Sequence, residues 1–127
     1  MLFDTHAHYD DSRFDDDRDA LLSSMPEHNV GLILNPGCDV ETSRKAVSYA
    51  QKYPFVYAAV GIHPENIGEN WNNDLTVIKE LAEAEPRVRA IGEIGSDDYW
   101  EKDELALSRQ QVVSERQIAL SRELGSP

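Results

Sequence analysis

The residues best equipped for chemistry stand near the start of the chain, in Leu2-Phe3-Asp4-Thr5-His6-Ala7-His8-Tyr9-Asp10. Two histidines are separated by one small residue, with a carboxylate just before them. On an extended strand alternate side chains share a face, so Asp4, His6 and His8 would point one way and Phe3, Thr5 and Ala7 the other. Neutral imidazole nitrogen ligates divalent metals, and a nearby acid or carbonyl fixes its tautomer. Two imidazoles with a carboxylate behind them therefore make half of a metal site. The plainer alternative is a strand end whose polar residues face water.

The elements that must position these residues follow one rhythm. After a polar turn at Asp10-Asp11-Ser12, the pattern predicts a helix from Phe14 to Glu27, with Leu21, Leu22 and Met25 on one side and a stop near Pro26. Val30 to Leu34 reads as a buried strand halted by Asn35-Pro36-Gly37. Asp39 is placed to cap a helix that runs to Lys52. Phe55 to Val60 is a third strand, ending in Gly61-Ile62-His63-Pro64. Asp74 to Glu85 resume helical spacing, Val88 to Ile91 form a fourth strand, and Gly92-Glu93-Ile94-Gly95 end it. A last helix spans roughly Leu105 to Leu124, stopped by Gly125-Ser126-Pro127.

Strands that are continuous apolar runs, alternating with helices, mean a parallel α/β architecture with right-handed crossovers. The polar residues then gather at one end: His6 and His8 after the first strand, Asn35 after the second, His63 after the third and Glu93 after the fourth. Carboxyl ends of strands are where α/β sheets and barrels keep their chemistry.

Composition bounds the rest. The 127 residues make one domain of ordinary apolar content. No apolar run reaches the ~20 residues needed to cross a bilayer, and Met1 leads straight into structure. A single cysteine, Cys38, excludes an internal disulfide and suits the cytoplasm. Twenty-four acids against twelve bases leave a net charge of −12, which argues against nonspecific nucleic-acid binding through charge alone. Bound cations reverse such a field locally, so a metal-dependent enzyme remains compatible with it. Tyr53, Tyr57, Tyr99 and Trp100 lie among apolar or acidic neighbours, without the basic patch of a nucleic-acid-binding module.

The motifs Phe3-Asp4-Thr5-His6-Ala7-His8, Asn35-Pro36-Gly37, Gly61-Ile62-His63-Pro64 and Ile91-Gly92-Glu93-Ile94-Gly95, in this order and spacing, resemble the TatD family of metal-dependent deoxyribonucleases and related phosphoesterases. The resemblance covers essentially the whole chain. It implies about four βα units of a TIM-type (β/α)8 barrel, residues 1–127 being its amino-terminal half and ending before the fifth strand. By resemblance, His6 and His8 are ligands of a divalent cation (Zn²⁺, Mn²⁺ or Mg²⁺, one or two per complete site). Glu93 is a further, bridging ligand and the catalytic group of this half. His63 resembles a substrate-phosphate contact, and Asp4 an acid that orients the first ligands. His28 matches no motif and reads as a solvated residue at a helix end.

The pattern departs from the family at Ser96, Asp97 and Asp98, where a leucine, an aspartate and an aromatic are usual, and again at Ser114 and Ser126. Serine in place of a buried apolar group costs ~1.5–3 kcal/mol wherever the site stays buried. Two functions follow. One is a DNA-cleaving hydrolase that is weak or inactive until a homodimer or a complementing half-barrel chain completes it. The other is a non-catalytic α/β fragment that at most binds a divalent metal. With open first and fourth strands, self-association is expected.

Overall fold

The computed structural model describes residues 1–127 as one four-stranded sheet with helices between the strands. The strands are β1 (Leu2–Asp4), β2 (Val30–Pro36), β3 (Val56–Val60) and β4 (Val88–Ile91). The helices are α1 (Arg18–Ser24), α2 (Val40–Lys52), α3 (Trp71–Ala84) and α4 (Glu104–Leu124). The sheet order is β1-β2-β3-β4 and every pairing is parallel. This is the expected (β/α) architecture.

The helices cover one face of the sheet. Ile33, Val56, Ala58, Val60 and Ile91 pack there against Leu22, Ala46, Ala50, Ile78, Val113 and Leu120, all buried in one cluster. Each large aliphatic side chain removed from water on that face contributes about 1.5–3 kcal/mol. The opposite face is concave and carries Phe3, Leu32, Leu34 and Tyr57 around a cavity of roughly 520 Å³. Phe3 is 55% exposed, so this face lacks a second layer within the 127 residues.

Local chemistry sets the element ends. Asp39 accepts from Thr42 N (2.8 Å), and Thr42 Oγ1 accepts in return from Asp39 N (3.1 Å), a reciprocal cap that starts α2 where the sequence predicts. Gly125 in the left-handed region ends α4. At Gly61 a Cβ would lie 2.7 Å from the backbone of Gly92, so only glycine lets the ends of β3 and β4 approach this closely.

Several boundaries differ from the pattern. β1 stops at Asp4, so His6 sits in a bend beyond the strand, and His8 in the irregular segment after it, rather than on the strand. The Asp4 carboxylate accepts from His6 N (3.2 Å), a local bond that turns the backbone out of the sheet. The helix expected over 14–27 shrinks to α1, flanked by 3-10 turns at Ser12–Phe14 and Met25–His28. Arg18 fixes that start by donating to the loop carbonyls of Tyr9 and Asp11. β2 runs on through Asn35 and Pro36, because both stay in register with Ala58 and Ala59 of β3. α3 begins at Trp71, three residues before the apolar spacing announces it. None of Ser96, Ser114 or Ser126 is buried, so the cost of burying serine does not arise.

Candidate metal centre

Four loops leave the carboxyl ends of the strands, and their backbones are tied together before any side chain is considered. His63 N donates to Cys38 O (2.7 Å), joining the loops after β3 and β2. Glu93 N donates to Gly37 O (2.8 Å) and Gly92 N to Val60 O (3.0 Å), binding the end of β4 to both. The Gly92–Glu93 peptide bond is cis.

Two buried polar side chains complete the frame. Asn35, fully buried, accepts from Tyr9 N (2.7 Å) and donates to Asp10 Oδ1 (3.1 Å), which holds the loop that carries His8. Gln117 of α4, 1% exposed, accepts from Ile62 N (2.8 Å) and donates to Ile62 O (3.1 Å), clamping the turn before His63. Neither role is legible in sequence. Asn35 reads as a strand stop, and Gln117 as one polar residue among many on an amphipathic helix.

On this frame His6, His8 and Glu93 converge, with one ligand atom from each lying within 4.8 Å of the others. His6 Nε2 and His8 Nε2 are 3.0 Å apart. Glu93 Oε1 lies 3.2 Å from His6 Nε2, and Glu93 Oε2 lies 3.4 Å from His8 Nε2. Two ligands bound at about 2.0–2.1 Å to one tetrahedral ion stand about 3.3 Å apart, so these separations match a shared cation. Two neutral imidazoles and one carboxylate also have the donor chemistry for it. The His8 ring has Asp10 Oδ1 3.8 Å from its Nδ1, on the side away from Glu93.

His63 stands outside the trio. Its Nδ1 accepts from Glu65 N (3.1 Å), which caps the 3-10 turn Pro64–Asn66, and its ring is partly exposed. Asp4 is likewise outside the trio and bonds to the His6 backbone. His28 is exposed at a helix end, with its Nδ1 2.9 Å from Ser24 O.

Cys38 is the neighbour that sequence reasoning missed. Its thiol donates to Glu93 Oε2 (3.1 Å), and burial together with the Glu93 carboxylate pushes its pKa up to about 12. The available signal was its place directly after Asn35-Pro36-Gly37, in a loop at the same end of the sheet.

A family model described as "TatD related DNase" matches residues 3–127, almost the whole chain. The chain belongs to the TatD-related family. It is 38% identical over 127 residues to "Uncharacterized metal-dependent hydrolase YabD" of Bacillus subtilis (strain 168), covering 100% of this chain and 49% of that one. It is 29% identical over 126 residues to "3'-5' ssDNA/RNA exonuclease TatD" of Cronobacter sakazakii, covering 99% and 47%. Among solved structures, the TatD homologue YjjV of Escherichia coli superposes with a TM-score of 0.83 at 30% identity, over 99% of this chain and 48% of that one. The TatD-related chain thus spans about half the length of the relatives it matches, and its sheet corresponds to the first half of their barrel. No helix is long and apolar enough to cross a membrane.

Proposed function

We propose that this TatD-related chain is the amino-terminal half of a divalent-metal-dependent phosphodiester hydrolase acting on nucleic acid. The observation that carries the reading is the convergence of Glu93 with His6 and His8, although the strands that lead to them are the two outer edges of the sheet. His6, His8 and Glu93 would hold the cation, Glu93 with one carboxylate oxygen toward each imidazole. When bound, a divalent cation supplies Lewis-acid stabilisation of phosphoryl charge and a more acidic water. The chain's own part is to orient those donors. Asp10 lies beside the outer nitrogen of His8, Asn35 holds Asp10, and the Cys38 thiol holds one oxygen of Glu93. His63, with Nδ1 engaged by Glu65 N, would offer Nε2 to a substrate phosphate. Nucleic acid as substrate is supported by a relative named as an exonuclease on single-stranded DNA and RNA.

Three donors are fewer than a two-metal site needs, and the side chain of His6 is 55% exposed. The remaining groups would come from a carboxyl-terminal half-barrel seated against the face that carries Phe3, Leu32, Leu34 and Tyr57. The same observation favours a second reading, a divalent-metal-binding fragment without turnover. Hydrolysis of a single-stranded oligonucleotide with Mn²⁺ separates the two. The proposal expects little turnover by the chain alone and robust turnover when a separately expressed carboxyl-terminal half of a relative is added, lost on His6→Ala. Unchanged inactivity in a mixture shown to form a complex would leave the binding-only reading.

A further inference from the structure

We infer that Tyr99 and Trp100 form a stacking platform for the bases of single-stranded nucleic acid at the same end of the sheet as the metal centre, with Arg109 as the contact for the adjoining phosphate. The inference rests on the phosphodiesterase reading of that centre. It concerns how the substrate is held, which the three converging ligands leave open.

Tyr99 and Trp100 are 71% and 76% exposed, the most exposed aromatic side chains of the chain. Their rings meet edge to face, with centroids 4.6 Å apart and planes at 89°. Such a pair normally earns its place by burying area, yet here both faces stand in water. The backbone beneath them is nonetheless held. Asp97 Oδ1 accepts from Tyr99 N (3.0 Å) and Trp100 N (3.2 Å), while Asp97 N donates to Gln110 Oε1 (2.8 Å) of α4. Gln110 is 4% exposed, so the loop is tied to a buried anchor while its aromatic side chains stay outside. A fixed aromatic pair presented to solvent is what base stacking requires.

Position and charge select the ligand. The pair follows Glu93 by six and seven residues, in the loop leaving the carboxyl end of β4. Trp100 shares a recess of roughly 260 Å³ with Pro64, the neighbour of His63, and with Arg109. Arg109 is partly buried and its guanidinium makes no ion pair or hydrogen bond, although Glu65, Asp97 and Glu101 line the same recess. Its guanidinium is therefore available to a phosphate. In a chain of net charge −12, electrostatic capture of a duplex is unfavourable, so stacking must supply most of the attraction. Bases stacked inside a duplex cannot reach such a platform, whereas those of a single strand can.

Trp71 and Trp100 are the two tryptophans, so a Trp71→Phe variant reports on Trp100 alone. The test titrates the metal-free chain with an eight-residue thymidine oligonucleotide, an abasic oligomer of the same length, and a duplex. Quenching of Trp100 by the base-bearing single strand is expected, at about ten-fold or more higher affinity than for the other two. In anisotropy of the same oligomers carrying a terminal dye, Trp100→Ala should lose that margin and Trp100→Phe keep it, while Arg109→Gln should weaken the base-bearing and abasic oligomers alike. Equal binding of base-bearing and abasic strands, absence of quenching, or Trp100-dependent dimerisation in sedimentation would overturn the inference. A base-free phosphodiester, hydrolysed with Mn²⁺ by the completed barrel, reports on the metal centre separately. If that hydrolysis fails while base-dependent quenching persists, the platform stands and the hydrolase reading falls.

Discussion

Glu93 Oε1 lies 3.2 Å from His6 Nε2, although His6 follows β1 and Glu93 follows β4, the opposite edges of the sheet. Adjacent strands are about 4.8 Å apart, so a flat four-stranded sheet would hold its edge strands about 14 Å apart. The curvature of a half-barrel, and the loops that lean over its end, close that distance. The bonds from Glu93 N to Gly37 O and from Ala7 N to Leu34 O draw both loops toward the central strand β2.

Gln117→Leu should destabilise the fold by about 1–3 kcal/mol, because Ile62 N and O would both lose their partner in a buried place. Urea unfolding followed by circular dichroism measures it. A change within a few tenths of a kcal/mol would mean that the clamp on the His63 turn is dispensable.

Asn35→Ala should cost a similar ~1–3 kcal/mol by leaving Tyr9 N unpaired. It should also weaken divalent-metal binding, because Asp10 and the loop carrying His8 lose their tether. The two effects are separable by titrating metal at a denaturant concentration where the variant is still folded. Lower stability with unchanged metal affinity would show that the loop is held by other bonds.

Cys38 supplies a pH dependence. With its pKa raised to about 12 from an ordinary 9.0, the thiol stays protonated in the metal-free fold where an unfolded thiol ionises. Its contribution to stability is therefore complete below pH 9 and is lost as pH climbs toward 12. Tyr9 and Tyr53 are also shifted upward by burial and add loss in the same alkaline direction. Alkylation by iodoacetamide at pH 8.5 should be many-fold slower in the folded chain than in urea, and Glu93→Gln should speed it. Equal rates in folded and unfolded protein would refute this.

Much of this structure could be read from residues. The buried runs of β2, β3 and β4 and the cap at Asp39 follow from patterns in which every local preference agrees with the global fold. His6, His8 and Glu93 were identifiable because each sits where a strand must end. The lengths of β1 and α1 were not legible, because they depend on which backbone groups a side chain captures: the Asp4 carboxylate takes His6 N at the end of β1, and Arg18 donates to the Tyr9 and Asp11 carbonyls at the start of α1. Asn35, Gln110 and Gln117 were missed as structural residues for a related reason: a buried amide has the same composition signature as a solvated one. Cys38 gains its meaning only from Glu93, 55 residues away.

The central claim is that His6, His8 and Glu93 hold one divalent cation together. Calorimetric titration of the purified chain with Zn²⁺, Mn²⁺ and Mg²⁺, repeated on Glu93→Gln, tests it most directly. Zn²⁺ and Mn²⁺ should bind more tightly than Mg²⁺, since imidazole suits the former and Mg²⁺ prefers oxygen ligands. Glu93→Gln should weaken Zn²⁺ binding about ten-fold or more without unfolding the chain, and His6→Ala should do the same. Zn²⁺ affinity equal in the wild-type chain and Glu93→Gln would contradict the claim and leave the carboxylate a neighbour of the histidines rather than their partner.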